Sequence, residues 1–250
     1  MSDNEISVFT HQLSKQFGTF TAVDKVDLEV NKGEIFGFLG ANGAGKSTMI
    51  RMLCGLLMPS SGEARVAGLD VFTQNEKIKM NIGYMSQKFS LYNDLTVAEN
   101  IDFYGGVYSL SRQAIKSKKE EIGISLDMSD QMKRITGDIP VGLKQRLALA
   151  CSMLHDPQII FLDEPTSGVD PKVRRDFWNI IHQLAQAGKT VFVTTHFMDE
   201  AEYCHRISIM HEGKIIALDT PENLKTKYQK DSIQNVFITL IRRQKNANAQ

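Results

Sequence analysis

The chain has 250 residues, of which 42% are hydrophobic and 23% charged, a composition typical of a folded globular protein. It contains 29 lysines and arginines and 29 aspartates and glutamates, so the formal net charge is zero. This balance argues against non-specific nucleic-acid binding, which needs a surplus of cations. The length predicts one large domain, or one domain with an added lobe.

Two absences along the sequence bear on where the protein works. The N-terminal segment is acidic and lacks the apolar stretch of a secretory signal, and no run approaches the roughly 20 apolar residues of a membrane-spanning helix. The three cysteines lie far apart and form no CxxC pair, which favours free buried thiols over a disulfide framework or a zinc site. We therefore expect a cytosolic protein that reaches a membrane only through a partner.

The first predicted elements are strands. Apolar and polar residues alternate over 6–10 and again over 26–30, which indicates two half-buried antiparallel strands. Residues 35–39 are almost continuously apolar, a pattern typical of a strand buried on both faces. A glycine-rich loop follows, and a helix is predicted over 48–54.

The middle of the chain changes character and is predicted to be a helical lobe, opened by a capping-box pattern from Thr96 to Glu99. Buried strands resume at 158–162 and 190–195, with a helix over 172–187 between them. Strands that alternate with helices predict a parallel sheet. The predicted fold class is α/β, with a parallel core sheet, an N-terminal antiparallel β subdomain and an inserted α-helical lobe. The predicted boundaries are a core at about 5–87 and 156–225, a lobe at about 88–155, a single domain over 1–241 and a flexible tail over 242–250.

The glycine-rich loop fits the pattern G-x-x-x-x-G-K-[ST], which defines a phosphate-binding loop. Its glycines let successive backbone N–H groups converge on phosphate oxygens, and the helix that begins near Lys46 points its positive end at the anion. We expect Lys46 to reach the β- and γ-phosphates and the Ser47 hydroxyl to bind Mg²⁺. The alternative is a glycine turn that binds nothing. The predicted cofactor contacts of this loop are Gly40, Ala41, Asn42, Gly43, Ala44, Gly45, Lys46, Ser47 and Thr48.

Polar residues close the two later core strands. Asp163 and Glu164 end one strand, and the carboxyl ends of parallel strands form the ligand crevice. Asp163 is predicted to hold Mg²⁺ and Glu164 to polarise an attacking water; the alternative is a strand that ends in solvated acids. His196 closes the next strand, where an imidazole could contact the γ-phosphate.

These motifs, in this order, resemble an ATP-binding-cassette (ABC) ATPase over about residues 5–225. Loop 40–47 resembles the family's Walker A motif and 159–164 its Walker B motif. Further matches are Phe17 with the adenine-stacking aromatic residue, Gln87 with the Q-loop glutamine, Asp170 with the D-loop aspartate and His196 with the switch histidine. The resemblance implies a P-loop NTPase that binds ATP and Mg²⁺ and hydrolyses ATP to ADP and phosphate. It implies catalytic roles for Lys46, Gln87, Glu164 and His196, and metal contacts from Ser47, Gln87 and Asp163.

The signature segment departs from the family pattern L-S-G-G-Q. Pro140 replaces the serine and Val141 the first glycine, whereas Gly142 fits. Proline has neither a hydroxyl nor a backbone N–H, so two γ-phosphate donors are lost, and a charge-assisted hydrogen bond is worth about 1.5–3 kcal/mol. The Gly142 N–H and the following helix start remain as anion donors. We predict a working but atypical signature, in which Pro140, Val141, Gly142 and Asp170 contact the nucleotide.

The resemblance also implies partners. A second ATPase subunit, identical or homologous, would complete an ATP-sandwich dimer, and transmembrane permease subunits would hold the protein at the cytoplasmic face of the plasma membrane. Segments at 91–96, 166–171 and 213–217 resemble ATPase subunits of ABC-2-type exporters of drugs, lipids or polysaccharides. The aromatic and aliphatic residues Phe89, Leu91 and Tyr92 are predicted to line a groove for a permease helix; alternatively, they only pack the lobe onto the core.

Two other function classes compete with transport. One is a soluble ABC ATPase acting in translation or DNA maintenance, and the other is a P-loop kinase. DNA-maintenance members carry a long coiled coil between the two halves of the cassette, and the stretch between Lys46 and Gly142 leaves no room for one. A kinase would lack the order of Q-loop, signature and D-loop. We expect no nucleic-acid partner.

Overall fold

The computed structural model describes residues 5–88 and 90–248. In this part of the chain ten strands form two sheets. The strands are β1 Ile6–Phe17, β2 Phe20–Asn31, β3 Ile35–Leu39, β4 Ser61–Val66, β5 Leu69–Asp70, β6 Ile82–Met85, β7 Ile159–Asp163, β8 Thr190–Thr195, β9 Arg206–His211 and β10 Lys214–Asp219. The longer helices are α1 Lys46–Leu53, α2 Asn75–Asn81, α3 Val97–Val107, α4 Arg112–Ser125, α5 Val141–Ser152, α6 Pro171–Gln186, α7 Pro221–Tyr228 and α8 Ile233–Asn248.

The smaller sheet is antiparallel and has the order β2-β1-β4-β5. The larger sheet has the order β10-β9-β3-β8-β7-β6, and it is parallel except for the edge strand β10. Every residue of β3, β7 and β8 is buried, because helices or the second sheet cover both faces. The predicted α/β fold with its antiparallel β subdomain and inserted helices is confirmed.

The inserted helices α3, α4 and α5 lie between β6 and β7 in the chain. The capping box predicted at Thr96 and Glu99 is present and begins α3. Helix α5 has two apolar sides: Leu147 packs in the core of the lobe, whereas Leu149 packs against the large sheet. The lobe is therefore fastened to the sheet through α5. The proposed division of the chain at 88 and 155 stays a prediction.

The C-terminal helix α8 was not predicted. It packs Ile233, Val236 and Leu240 onto the same core cluster as the large sheet. The helix continues to Asn248 and so runs through most of the segment 242–250, for which we predicted a flexible tail; residues 249 and 250 lie outside the described part. Helix α8 forms because its apolar residues recur at helical spacing, so they share one face that packs against the core.

Candidate nucleotide-binding site

The sheet order brings the predicted site residues to one edge. Strands β3, β8, β7 and β6 are parallel neighbours, so their carboxyl ends meet. The glycine-rich loop follows β3, His196 follows β8 and Gln87 lies just beyond β6, while Asp163 and Glu164 close β7. Residues that lie far apart in the sequence therefore meet in one cluster.

Lys46 is the first residue of α1 and is only 4% exposed. Its ammonium group donates to the carbonyl oxygens of Gly40 at 2.8 Å and Ala41 at 3.1 Å, and its Nζ lies 3.8 Å from Glu164 Oε1. Burial lowers the pKa of Lys46 below its ordinary value, an effect opposed by the carboxylates of Glu164 and Asp163. The loop thus holds this cation over its own backbone, beside the acids that end β7.

The glycines of the loop serve two purposes. A Cβ atom at Gly40 would lie 2.4 Å from the Met210 carbonyl oxygen, and one at Gly45 would lie 2.5 Å from the Ala22 carbonyl oxygen. These two glycines are therefore required where the loop packs against β9 and β2. Gly43 has a positive φ of 81° and open space around it, as expected where backbone N–H groups face a bound anion.

Asp163 is buried and accepts two hydroxyl hydrogen bonds on Oδ1. Ser47 Oγ donates to it at 3.0 Å and Thr194 Oγ1 at 2.6 Å. Thr194 lies opposite Asp163 in the register of β7 and β8, and its Oγ1 also accepts a hydrogen bond from the backbone N–H of Glu164 at 2.9 Å. Thr194 is a site residue that the sequence did not indicate, because its contact with Asp163 depends on the pairing of β7 with β8.

Glu164 lies at the centre of the cluster. Its Oε2 accepts a hydrogen bond from Gln87 Nε2 at 3.0 Å and lies 3.1 Å from His196 Nδ1. The residue is 8% exposed, and its backbone has a positive φ of 49°. A left-handed backbone is unfavourable for a side chain of this size, so the surrounding contacts hold Glu164 in place.

An open cavity of about 450 Å³ lies against this cluster. It is lined by Phe20, Ala22, Asn42, Gly43, Gly45, Lys46, Ser47, Thr48, Gln87 and Glu164. The aromatic residue in its wall is Phe20, whereas Phe17, predicted to stack on adenine, is not among the lining residues. Phe17 pairs with Phe20 across the turn between β1 and β2, and its ring lies 5.1 Å from Lys15 Nζ.

The donor set fits a nucleotide with Mg²⁺. The Ser47 hydroxyl and the Asp163 carboxylate supply neighbouring oxygen ligands of the kind that Mg²⁺ prefers, with Gln87 at the cavity wall. The glycine loop and the start of α1 supply backbone N–H groups for phosphate. Within the described residues no group of three or more His, Cys, Asp or Glu side chains forms a separate metal cluster.

The signature residues line a second cavity of about 420 Å³, formed by the starts of α5 and α6. Its lining includes Pro140, Val141, Gly142 and Asp170, and it shares no lining residue with the first cavity. Asp170 caps α6 by accepting from the N–H groups of Lys172 and Val173. The structure therefore groups these four residues with one another and separates them from the phosphate loop of the same chain.

Gly142 has a packing role that the sequence did not indicate. A Cβ atom there would lie 2.7 Å from Val173 Cγ1, so α5 and α6 approach closely at this point. Pro140 is the N-cap residue of α5 and makes no side-chain capping hydrogen bond, and Val141 is 47% exposed.

The parallel sheet, the phosphate loop and the acidic strand end define a P-loop nucleotide-binding protein. The family model described as "ABC transporter" matches residues 23–167, which is more than half of the chain. The chain therefore belongs to the ABC transporter family.

Two relatives and one solved structure show the extent of the similarity. The chain is 49% identical over 242 residues to the probable multidrug ABC transporter ATP-binding protein YbhF of Escherichia coli (strain K12), covering 95% of this chain and 42% of YbhF. It is 34% identical over 238 residues to the daunorubicin resistance ATP-binding protein DrrA3 of Streptomyces coeruleorubidus, covering 95% of this chain and 75% of that protein. The ADP conformation of MJ1267, an ATP-binding cassette of an ABC transporter, superposes with a TM-score of 0.80 at 26% identity, covering 93% of this chain and 94% of that chain.

Within residues 5–88 and 90–248, no helix combines the length and the apolar character needed to cross a bilayer.

Proposed function

We propose that the chain binds ATP with Mg²⁺ and hydrolyses it to ADP and phosphate. The observation that carries the proposal is the position of Glu164, a buried carboxylate held by Gln87 and His196 at the wall of the phosphate cavity. A carboxylate in this position can orient and polarise a water molecule for attack on a phosphoryl group.

Each group in the cavity or directly beside it then has a role. Asp163 and His196 are not among the lining residues, but they contact Ser47 and Glu164, which are. Lys46 offsets negative charge on the β- and γ-phosphates, and His196 holds the γ-phosphate. Ser47, Asp163 and Gln87 would hold Mg²⁺, which supplies charge neutralisation across the phosphates. Gln87 connects the cavity to the helical lobe, because its chain leads from β6 towards α3.

We further propose that the signature cavity acts on the nucleotide of a second ATPase subunit. Support comes from the separation of the two cavities within one chain: Pro140, Val141, Gly142 and Asp170 share no lining residue with the phosphate loop. A sandwich dimer would place one chain's signature segment over the other chain's phosphates. Phe17 and Phe20 flank the turn beside the phosphate cavity, and one of them would stack on adenine.

For the physiological role, we propose that the chain drives an ABC-2-type exporter from the cytoplasmic face of the plasma membrane. The names of YbhF and DrrA3 refer to multidrug transport and to drug resistance, which supports export. An exposed aromatic pair supports docking to permease subunits: the rings of Tyr92 and Phe103 lie 4.6 Å apart on the lobe, near the segment that follows Gln87. Leu91 is instead half-buried and packs between lobe and core, and Phe89 lies outside the described residues.

The binding half of the proposal is tested by titrating the purified chain with Mg-ATP. Lys46→Ala should weaken binding by about 10- to 100-fold, because one charge-assisted hydrogen bond is worth about 1.5–3 kcal/mol. Lys118→Ala, a surface lysine of α4, is the matched control and should bind as the wild type does. Absence of Mg-ATP binding by the wild type, or unchanged binding in Lys46→Ala, would contradict the proposal.

The transport half is tested by purifying the chain from detergent-solubilised native membranes. A polytopic membrane protein should accompany the wild type and should be lost with Tyr92→Ser combined with Phe103→Ser. The control is Ile124→Ser, which changes an apolar residue that is 82% exposed elsewhere on the lobe. Association with ribosomes or DNA instead would favour a soluble, non-transport ATPase.

A further inference from the structure

A series of side-chain contacts connects Glu164 to helix α6 through His196. The His196 ring packs against the Phe197 ring with their centroids 4.2 Å apart. Arg174, on the first turns of α6, places its guanidinium carbon 3.8 Å from the centroid of the Phe197 ring. This distance is well within the range of cation–π contact, so the guanidinium and the imidazole both rest on the same aromatic side chain.

From Arg174 the contacts lead back, through Glu200, to the backbone next to Glu164. Arg174 Nε lies 3.5 Å from Glu200 Oε1, and the Thr166 hydroxyl donates to the same oxygen at 2.5 Å. Thr166 is two residues after Glu164, and the intervening turn is closed by the hydrogen bond from Ser167 N to the Glu164 carbonyl oxygen at 3.1 Å. The segment after β7 and the segment after β8 are thus joined by two contacts, His196 with Glu164 and Glu200 with Thr166.

Glu200 is fully buried, and among the described residues its Oε2 has no hydrogen-bond partner. Such a carboxylate is not explained by stability, because a buried ion pair is often no better than apolar side chains of the same volume. What the pair with Arg174 does provide is a defined position for the guanidinium, and through it for Phe197. An imidazole held by the single contact to Glu164 Oε2 could still rotate, whereas one backed by this assembly has a fixed plane.

We propose that Arg174, Phe197 and Glu200 are positioning residues that fix the His196 ring against Glu164. This inference rests on the proposed hydrolysis of ATP and deepens it. Neither these three residues nor His196 is among the described residues that line the phosphate cavity, so they act on the reaction through the contact of His196 with Glu164. Their loss should reduce the turnover number and leave nucleotide affinity nearly unchanged.

The test measures kcat, KM and Mg-ATP affinity of the full chain. Arg174→Ala and Phe197→Leu should each lower kcat by about 10- to 100-fold, the penalty expected when a reacting group is misplaced by about 1 Å. Phe197→Tyr retains the ring face and should retain most of the activity. The matched control is Arg175→Ala, which changes the exposed neighbouring arginine and should leave kcat unchanged.

A double-mutant cycle separates positioning from general stability. In a His196→Ala background, Arg174→Ala should cause no further loss of single-turnover rate, because its effect passes through the missing imidazole. Losses that multiply would overturn the proposal. If thermal unfolding shows that Arg174→Ala does not fold, the Phe197→Leu and Phe197→Tyr pair carries the same comparison.

The outcomes also separate this inference from the proposed function. A wild-type chain that hydrolyses ATP, with kcat unchanged in Arg174→Ala and Phe197→Leu, would reject the positioning role alone. A wild-type chain and an Arg175→Ala control that both fail to hydrolyse ATP would reject the proposed function, and the positioning role with it.

Discussion

The two cavities differ in how deeply the side chains central to each of them are buried. At the phosphate cavity Lys46, Asp163 and Glu164 are all nearly buried, and each contacts at least two other groups of the same network. At the signature cavity Val141 is half-exposed and Pro140 caps its helix without a side-chain hydrogen bond. A preorganised network suits groups that must stabilise charge during a reaction. An exposed surface with fewer internal contacts suits an interaction that a second molecule completes.

The largest effect should come from the phosphate cavity. Glu164→Gln is expected to lower kcat by about 10²- to 10⁴-fold, because an amide cannot accept a proton from water. Mg-ATP binding should persist, since the phosphate loop is intact. Phosphate release and ATP binding are measured together, with Glu212→Gln as the control; that residue is an exposed glutamate with a similar φ of 47°. Unchanged turnover in Glu164→Gln would remove the residue from its role.

At the signature cavity, by contrast, a substitution is expected to strengthen an interaction rather than to weaken the activity. Pro140→Ser combined with Val141→Gly restores a hydroxyl and a backbone N–H, so nucleotide-driven self-association should strengthen by about tenfold. Sedimentation with Mg-ATP in the Glu164→Gln background measures this change.

The matched control is Pro140→Ala with Val141→Gly, which restores the N–H but no hydroxyl and should gain less. The wild type itself should turn over ATP; no turnover before the double substitution and clear turnover after it would show that the present signature does not work.

A smaller effect is expected on stability. Gly142→Ala forces a methyl group against Val173 and should lower the free energy of unfolding by about 1–3 kcal/mol. Adding Val173→Ala should recover part of the loss. The control is Gly106→Ala in α3, where a Cβ meets nothing within 4 Å and a small gain in helix stability is expected. Thermal unfolding compares these three variants with the wild type, and equal midpoints for Gly142→Ala and Gly106→Ala would disprove the close contact.

The smallest expected effect concerns adenine. Replacing both Phe17 and Phe20 by alanine should weaken ATP binding by about 0.5–1.5 kcal/mol and leave inorganic triphosphate binding unchanged. The variants Phe17→Ala and Phe20→Ala, measured separately, show which of the two rings accounts for the loss of ATP affinity. A loss in Phe17→Ala confirms the prediction from the sequence, a loss in Phe20→Ala transfers the role to the residue that lines the cavity, and no loss in the double variant excludes aromatic stacking.

The strand ends that carry Asp163, Glu164 and His196 could be predicted because apolar runs mark buried parallel strands, and the glycine loop could be predicted because its spacing is specific. The contacts of Phe20 could not, because they depend on the exact course of a tight turn between two strands. Nor could Thr194, since its bond to Asp163 follows from the register of β7 against β8.

The packing roles of glycines were also hidden in the sequence. The phosphate-binding motif fixes Gly40 and Gly45 in the sequence, but only the assembled sheets show that backbone from β9 and β2 comes too close to these two residues for a Cβ atom. Helix α8 was missed for a different reason. The sequence analysis assigned no element to the segment that holds Ile233, Val236 and Leu240, and the polar composition of 242–250 indicated a tail rather than the end of a helix.

The position of β3 between β8 and β9 has a consequence for synthesis of the protein. On the ribosome β3 emerges long before either neighbour, so it has two unpaired edges and two apolar faces until more than half of the remaining chain is made. The nascent chain is therefore prone to aggregate in this interval. Holdase chaperones should engage it most strongly before residue 190 is translated, and ribosome profiling of chaperone-bound nascent chains would reveal that window.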